Sequence, residues 1–266
     1  MTHKVNFPSF GVVLDVGSDQ TILDAALLAK VDYPCGCQSG NCGACKSHLH
    51  MGEVELAPYS TFALEESERE RGLVLACRSI PLSDCEISPL EQNEVAAHPN
   101  RIINCKIASI TEATHDIRLI GIDVTDGEPF NFCAGQYASL TFSGLPPRDF
   151  SMANSPGKGL LEFHVRHVAG GTVSDHILKG LKIDDTVRVE GPHGVSYLRE
   201  QHRGPIIAVA GSTGLAPIKS IVHTALQAGM KQSIYLYFGV RDERDLYRID
   251  DLEQLATDFE NLTFMP

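Results

Sequence analysis

The sequence predicts a multidomain protein of the α+β and α/β classes: a small β-rich unit, an antiparallel β-barrel, and part of a doubly wound parallel sheet. Short stretches of alternating apolar and polar residues recur between residues 101 and 190, as in an antiparallel barrel. From residue 205 onward, the continuous apolar runs IIAVAG and IYLYFGV flank a helical pattern, which is typical of a βαβ unit. The polar, aperiodic segment EQNEVAAHPN separates the first unit from the barrel.

These patterns predict a first domain at 1–92, a linker at 93–100, a barrel domain at 101–202 and a parallel-sheet domain at 203–266. In the first domain we expect strands at 5–7 and 11–14 and a helix at 22–30, where Thr21 and Asp24 have capping-box spacing. A glycine- and cysteine-rich loop follows at 34–46, and alternation over 47–56 predicts a strand pair.

The predicted barrel strands are 101–110, 115–122, 136–142, 161–168 and 185–190. A helix is predicted from Ser174 to Leu181, after two glycines. In the last domain the segment GSTGLAP predicts a turn, and a helix follows at 218–228.

The chain is acidic, with 34 Asp+Glu against 22 Lys+Arg. Residues 1–95 hold −8 of the formal charge of −12. This balance argues against nucleic acid or an anionic membrane as a partner. The sequence shows neither an apolar run of about 18 residues nor a secretory signal, so we expect a cytoplasmic protein with reduced cysteines.

The segment CGCQSGNCGAC gives the strongest functional signal. Cys37, Cys42 and Cys45 follow the spacing C-x4-C-x2-C, and Cys77 comes later in the chain. This is the plant-type [2Fe–2S] ligand pattern, in which one loop supplies three thiolates and a distant segment supplies the fourth. The sequence therefore predicts an iron–sulfur cluster on these four cysteines.

The sequence also offers residues for other metal sites. A structural zinc site also uses four cysteines, but these usually come as two C-x2–4-C pairs. In this sequence only one such pair is present, so the pattern fits zinc in one half only. Cys35 is the alternative to Cys37 as a ligand. His48 and His50 would share one strand face, which is compatible with metal binding or with simple exposure.

The segment RDFSMAN carries a resemblance to a known family. Arg148, Phe150 and Ser151 match the R-x-[YF]-S-x-A motif of the ferredoxin–NADP reductase superfamily. The domain order resembles that of the ferredoxin-fused NADH reductase component of bacterial multicomponent oxygenases. The resemblance implies a β-grasp ferredoxin, a Greek-key flavin-binding barrel and a nicotinamide domain, with FAD, NADH and a one-electron acceptor protein.

The resemblance also implies roles for individual residues. Arg148 would neutralise a flavin phosphate, Phe150 would pack against the isoalloxazine, and Ser151 would tune the flavin chemistry as the catalytic residue. The family more often has tyrosine at the position of Phe150. The remaining flavin-binding candidates, toward the diphosphate and adenosine, are His164, Val165, Arg166, Gly171, Val173 and Ser174.

For the nicotinamide cofactor, AGSTGLAPI has the strand–turn–helix context of a pyrophosphate-binding turn. Gly211, Thr213, Gly214 and Pro217 match the family motif, although a plain βα turn would look similar. Arg241 follows the second strand, where the family meets the adenosine half of the cofactor. Asp242 beside it would repel a 2′-phosphate, which favours NADH over NADPH.

The sequence therefore predicts an NADH-dependent reductase that passes electrons through FAD and [2Fe–2S] to a terminal oxygenase or another acceptor. Two alternatives remain open: a ferredoxin-type carrier without NADH oxidation, and a reductase for a deoxysugar dehydratase. By comparison with the family, the end at NLTFMP also predicts that the nicotinamide domain is truncated.

Overall fold

The computed structural model describes residues 2–90, 98–124, 128–157 and 159–266. The chain forms two compact units, Met1–Val95 and Ala96–Pro266. Most of the linker predicted at 93–100 lies outside the described residues. No helix in the described ranges is long and apolar enough to cross a membrane.

The first unit is built on a mixed five-stranded sheet, with a two-stranded sheet and two short helices. Its strands are β1 (Thr2–Phe7), β2 (Val12–Gly17), β3 (Lys46–Met51), β4 (Val54–Leu56), β5 (Leu73–Leu75), β6 (Ser79–Pro81) and β7 (Cys85–Pro89), and its helices are α1 (Ile22–Leu28) and α2 (Glu66–Arg69). The main sheet has the order β2-β1-β7-β3-β5, in which β1 is parallel to β7 and the other pairs are antiparallel. This is the β-grasp arrangement that the resemblance implied.

The helix α1 begins where the capping residues predict. The Thr21 hydroxyl accepts a hydrogen bond from the Asp24 N–H at 3.1 Å and donates one to the Asp24 carboxylate at 2.6 Å. Ile22, Leu23 and Ala26 are fully buried in the core of this unit. The cap and the apolar face together explain why this short segment is helical.

The pairing predicted within 47–56 is wrong. β3 pairs with β5 and β7, whereas β4 pairs with β6 in a separate two-stranded sheet. Gly52, between β3 and β4, has a φ of +93°, and a Cβ there would lie 2.3 Å from the Asp84 carbonyl oxygen. Glycine alone fits this position, and after it the chain pairs with β6 instead of folding back on β3 as a hairpin.

The second unit begins with a barrel of six antiparallel strands and a helix: β8 (Arg101–Glu112), β9 (Ile117–Asp123), β10 (Tyr137–Phe142), β11 (Arg148–Ser151), β12 (Leu160–Arg166), α3 (Thr172–Lys179) and β13 (Thr186–His193). The strand order is β11-β10-β13-β8-β9-β12. A bridge between Met152 and Phe163 joins the two end strands and nearly closes the barrel. All five predicted strands are present, and β11 is an additional one.

The rest of the second unit is a parallel sheet with helices between its strands. In chain order these elements are β14 (Ile206–Gly211), α4 (Leu215–Gln227), β15 (Ile234–Gly239), α5 (Ile249–Asp258) and β16 (Leu262–Met265). The strand order is β14-β15-β16. In the described part, α4 and α5 pack on one face of this sheet, while Ile207 and Val209 on the other face are 72% and 67% exposed.

Two helices in the second unit begin earlier than predicted. α3 begins at Thr172 rather than Ser174, after Gly171 as its N-cap. α4 begins at Leu215 rather than residue 218, so Pro217 lies in its first turn. Proline is tolerated there because the N–H groups of a first turn have no intrahelical acceptor.

Candidate functional site

The four predicted cluster ligands converge in the first unit. The Asn41 N–H donates to the Cys37 sulfur at 3.2 Å, and the Cys37 N–H donates to the Cys42 sulfur at 3.3 Å. The thiol of Cys77 forms a hydrogen bond with that of Cys45. Cys37 and Cys42 are exposed, whereas Cys45 and Cys77 are buried. With two exposed and two buried sulfurs, the site fits a cluster that lies close to the protein surface, beneath the loop.

Two glycines allow the loop to curl around these sulfurs. A Cβ on Gly36 would lie 3.1 Å from the Cys42 sulfur. Gly40 has a φ of +77°, and a Cβ there would lie 2.8 Å from the Tyr59 Cβ and 2.9 Å from the Arg78 Cγ. The position of Gly40 therefore requires a residue without a side chain, and at Gly36 a side chain would press on the Cys42 sulfur.

The loop also stabilises thiolate at Cys37. Burial raises the pKa of this thiol, but hydrogen bonds from Ser39 and Asn41, together with that from Cys42, outweigh it and lower the pKa to about 6. The hydrogen bond from Cys77 lowers the pKa of Cys45. Iron binds thiolate rather than thiol, so at Cys37 and Cys45 these hydrogen bonds favour the form that binds iron. The hydrogen bond between Cys45 and Cys77 raises the pKa of Cys77 in turn.

The other candidate metal ligands are Cys35, His48 and His50. Cys35 is half-buried, and burial raises the pKa of its thiol. His48 and His50 are exposed on β3, with their rings stacked 5.8 Å apart. Among the described residues, no three thiols lie within 4.8 Å of one another. The C-x4-C-x2-C spacing of the loop, rather than two C-x2–4-C pairs, favours a [2Fe–2S] cluster over zinc.

The flavin motif lies where the barrel closes. Arg148 and Ser151 are the first and last residues of β11, and Ser151 is the cross-strand partner of Tyr137 on β10. Arg148 is exposed and donates to the Pro147 carbonyl at 2.8 Å, while Phe150 packs on the barrel core. The motif thus presents a cation and a hydroxyl on one short strand.

Tyr137 is a candidate that the sequence reasoning missed. Its ring lies 5.5 Å from that of His193, and a Cβ on Gly194 would come within 2.9 Å of it. The alternating pattern of GQYASLTF places Tyr137 on a strand, but only the register of β10 with β11 brings it opposite Ser151.

The N-terminus of α3 provides a second element for the flavin. Its first N–H groups, at Thr172, Val173 and Ser174, have no intrahelical acceptor and suit a phosphate. The Val173 side chain is buried in the barrel core, so only its backbone is available. The Ser174 hydroxyl accepts from the Val168 N–H at 3.1 Å and lies 3.1 Å from the Gly171 carbonyl. This hydroxyl holds the turn before the helix.

The strand β12 places its three predicted cofactor residues in different surroundings. The His164 ring has no exposed side-chain surface, and its nitrogens contact Glu162 at 2.8 Å and Tyr247 at 2.9 Å. The Val165 side chain is buried in the barrel core. The Arg166 Nε donates to Asp116 at 2.7 Å.

A cavity of about 270 Å³ lies at the nicotinamide turn. It is lined by Arg166, Gly211, Ser212, Gly239, Val240, Arg241 and Asp245. Two of the predicted nicotinamide residues, Gly211 and Arg241, line this cavity. Thr213 and Gly214 lie in the short turn before α4, and Pro217 lies in the first turn of α4. Arg166, predicted on the flavin side, lines the same cavity.

The glycines of this turn fit a dinucleotide. A Cβ on Gly211 or Gly214 would meet nothing within 4 Å. The open space lets a pyrophosphate approach the backbone closely. Arg166 and Arg241 line the same cavity and carry positive charge toward such an anion. Asp245 also lines it, and Asp116 pairs with Arg166 at 2.7 Å.

Comparison with known families gives three matches, one in each of the three predicted domains. A model of the 2Fe-2S iron-sulfur cluster binding domain matches residues 7–82. A model of the oxidoreductase FAD-binding domain matches 104–197, and one of the oxidoreductase NAD-binding domain matches 208–266.

Several relatives are similar over nearly the full chain. The reductase component of the naphthalene 1,2-dioxygenase/salicylate 5-hydroxylase systems of Ralstonia sp. is 39% identical over 94% of this chain and 75% of the relative. The reductase component of phenol 2-monooxygenase of Pseudomonas sp. (strain CF600) is 34% identical over 100% of this chain and 76% of the relative.

Solved structures are also similar. The Amycolatopsis cytochrome P450 reductase superposes with a TM-score of 0.69 at 34% identity, over 100% of this chain and 80% of that chain. The ferredoxin reductase in carbazole 1,9a-dioxygenase gives a TM-score of 0.64 at 26% identity, over 99% of this chain and 78% of that chain.

Proposed function

The chain belongs to the reductase components in which a [2Fe–2S] ferredoxin domain precedes FAD- and NAD-binding domains, and we propose that it supplies electrons to a terminal oxygenase. When bound, NADH would provide a hydride, FAD would accept it and release single electrons, and the cluster would pass these to the partner. One observation carries this proposal: a single chain holds the four-cysteine loop, the barrel motif and the glycine-lined cavity.

The residues of the first unit would hold the cluster. We assign Cys37, Cys42, Cys45 and Cys77 as its ligands, because they converge on one loop and its neighbouring segment and because their spacing is that of a plant-type [2Fe–2S] site. Cys35 lies beside the ligands.

The barrel residues would hold FAD. We assign Arg148 to a phosphate, Phe150 to ring packing and Ser151 to a hydrogen bond near the reactive flavin atoms, as the catalytic residue. The N-terminal N–H groups of α3, behind Gly171, would bind the diphosphate. His164 and Val165 would take part through the backbone of β12, since both side chains are buried.

The nicotinamide cofactor would bind in the cavity after β14. We assign Gly211, Thr213, Gly214 and Pro217 to the turn that receives the pyrophosphate. Arg241 would bind the adenosine half of the cofactor, and Arg166, which lines the same cavity, would lie close to it. The Asp242 side chain is 60% exposed beyond Arg241, where it would repel a 2′-phosphate and favour NADH.

We further propose domain limits of 1–92, 101–202 and 203–266, joined by a linker at 93–100. We also propose that the protein is cytoplasmic, because a cluster bound by four cysteine thiolates is suited to a reducing compartment.

The proposal is tested by anaerobic addition of NADH to the protein loaded with both cofactors. We expect the flavin absorption to bleach first and the iron–sulfur absorption to follow, with NADPH acting more weakly. If NADH leaves both bands unchanged while dithionite bleaches them, the chain is an electron carrier rather than an NADH-dependent enzyme.

A further inference from the structure

A cluster of charged and polar side chains ties the barrel to the parallel sheet within the second unit. It consists of Glu162 and His164 on β12, Lys219 on α4, and Tyr247 and Arg248 just before α5. We call it the Glu162 cluster. A single oxygen of Glu162 contacts His164 Nε2 at 2.8 Å and accepts hydrogen bonds from Lys219 Nζ and an Arg248 nitrogen, each at 3.3 Å.

The Glu162 cluster is largely removed from solvent. The side chains of Glu162 and Lys219 are 22% and 13% exposed, and that of His164 is fully buried. Burying charges costs free energy that their attraction often fails to offset, and apolar residues can stabilise such a place as well. Because apolar residues would supply comparable stability, stability alone does not select three charged groups for this place.

The contacts of the Glu162 cluster lead to both predicted cofactor sites. Lys219 Nζ also donates to the Ala153 carbonyl at 3.1 Å, and the Ser220 hydroxyl donates to the Asn154 carbonyl at 2.7 Å. Ala153 and Asn154 follow the flavin residue Ser151 by two and three positions. α4, which carries Lys219 and Ser220, begins directly after the nicotinamide turn.

A second path runs through His164 and Tyr247. Burial lowers the pKa of His164, which favours a neutral ring. With Nε2–H donating to Glu162, Nδ1 accepts from the Tyr247 hydroxyl. The Tyr247 ring packs edge-on against Phe238 of β15, with centroids 5.6 Å apart. This path fixes the segment before α5 against the barrel strand.

We propose that Glu162 is a positioning residue for hydride transfer, which holds α4 and the turn before it at a fixed offset from the flavin strand β11. This inference rests on the proposed function. Hydride transfer requires two rings to meet at a set distance, and a small misplacement can cost about a hundredfold in rate. Glu162 would not contact either cofactor itself, and it would position α4 through its hydrogen bonds with Lys219 and Arg248.

The test compares Glu162→Gln with the matched control Glu253→Gln. Glu253 is exposed on α5, and its side chain has no hydrogen bond among the contacts described. FAD content and the visible spectrum of the cluster report whether each variant is folded. The first readout is amide hydrogen exchange in the cofactor-free protein, which does not depend on activity. The second is the rate constant for flavin reduction at saturating NADH.

We expect Glu162→Gln to speed exchange in 212–227 more than in the barrel strands β8 and β13, and to slow flavin reduction about tenfold or more. The Kd for NADH should change much less than the rate constant, and Glu253→Gln should match the wild type. A folded Glu162→Gln protein with wild-type exchange and a wild-type rate constant would overturn the proposal.

Two further outcomes are distinguishable. If Glu162→Gln does not fold, Lys219→Met, which keeps the length of the side chain but loses both hydrogen bonds, takes its place with the same expected results. If the wild type itself is not reduced by NADH, the proposed function fails. In that case the amide exchange rates alone decide whether Glu162 holds α4 in place. Exchange in 212–227 that is the same in Glu162→Gln and in the wild type would then overturn this positioning role.

Discussion

At the scale of single residues, Cys35 and Cys37 are two thiols that the sequence alone does not separate. The structure gives Cys37 the Asn41 N–H as a donor and a lowered pKa, whereas burial raises the pKa of Cys35. We therefore expect Cys37→Ser to abolish the iron–sulfur absorption and Cys35→Ser to keep it, as measured by visible spectra and iron content. Loss of the cluster only in Cys35→Ser would reverse the assignment.

Glu162 gives a prediction for the pH dependence of stability. Desolvation raises the pKa of its carboxyl, but His164, Lys219 and Arg248 outweigh this and lower the pKa to about 2 from the ordinary 4.5. A carboxyl with a depressed pKa stabilises the fold above its unfolded pKa and loses that contribution as the pH falls through its folded pKa. The contribution is on the order of 3 kcal/mol at pH 7.

The measurement is the free energy of unfolding of the cofactor-free protein in urea, between pH 7 and pH 3. We expect the advantage of the wild type over Glu162→Gln to be constant above about pH 5 and to shrink below pH 4.5. If the difference in free energy of unfolding between the wild type and Glu162→Gln stays the same down to pH 3, the lowered pKa of Glu162 is contradicted.

At the scale of elements, the loop around the cluster depends on Gly40. A side chain there would have to adopt a φ of +77° and clash with Tyr59 and Arg78. Gly11 is a matched control, because its φ is +65° but a Cβ would meet nothing within 4 Å. We expect Gly40→Ala to lower the cluster content per protein strongly and Gly11→Ala to leave it near the wild-type level. Equal cluster content in the two variants would show that the clash is not decisive.

The elements that the sequence predicts well are those with local signals. Cysteine spacing marks the loop, the Thr21 cap marks α1, and apolar runs mark β14 and β15. The short strand β11 was missed because its residues are mostly exposed or half-exposed and lack alternation. The start of α3 was placed two residues late because glycine rather than serine is its N-cap.

The Glu162 cluster could not be predicted from local patterns. Glu162 lies 57 residues from Lys219 and 86 from Arg248 along the chain. Nothing in the sequence near Tyr247 marks it as the partner of His164. These contacts follow from packing α4 and α5 against the barrel, so only the folded structure shows that His164 faces inward.

At the scale of the whole molecule, the uneven charge gives a prediction about the acceptor protein. Residues 1–95 carry a net charge of −8 and also hold the cluster ligands. An acidic surface near the cluster would steer a basic docking face, and salt screens such attraction within about 8 Å at 0.15 M ionic strength. We expect the bimolecular rate of electron transfer to a basic acceptor such as cytochrome c to fall steeply as salt rises. A rate that does not change with ionic strength would assign the acidic residues to solubility alone.

The most direct test of the central claim is the reduction of the cluster by NADH, followed by electron paramagnetic resonance under anaerobic conditions. We predict that NADH produces the signal of the reduced [2Fe–2S] cluster in protein that holds both cofactors. The same protein stripped of FAD should give no such signal with NADH but the full signal with dithionite. A cluster that NADH reduces equally well without FAD, or does not reduce in the complete protein, would contradict the proposed order of electron transfer.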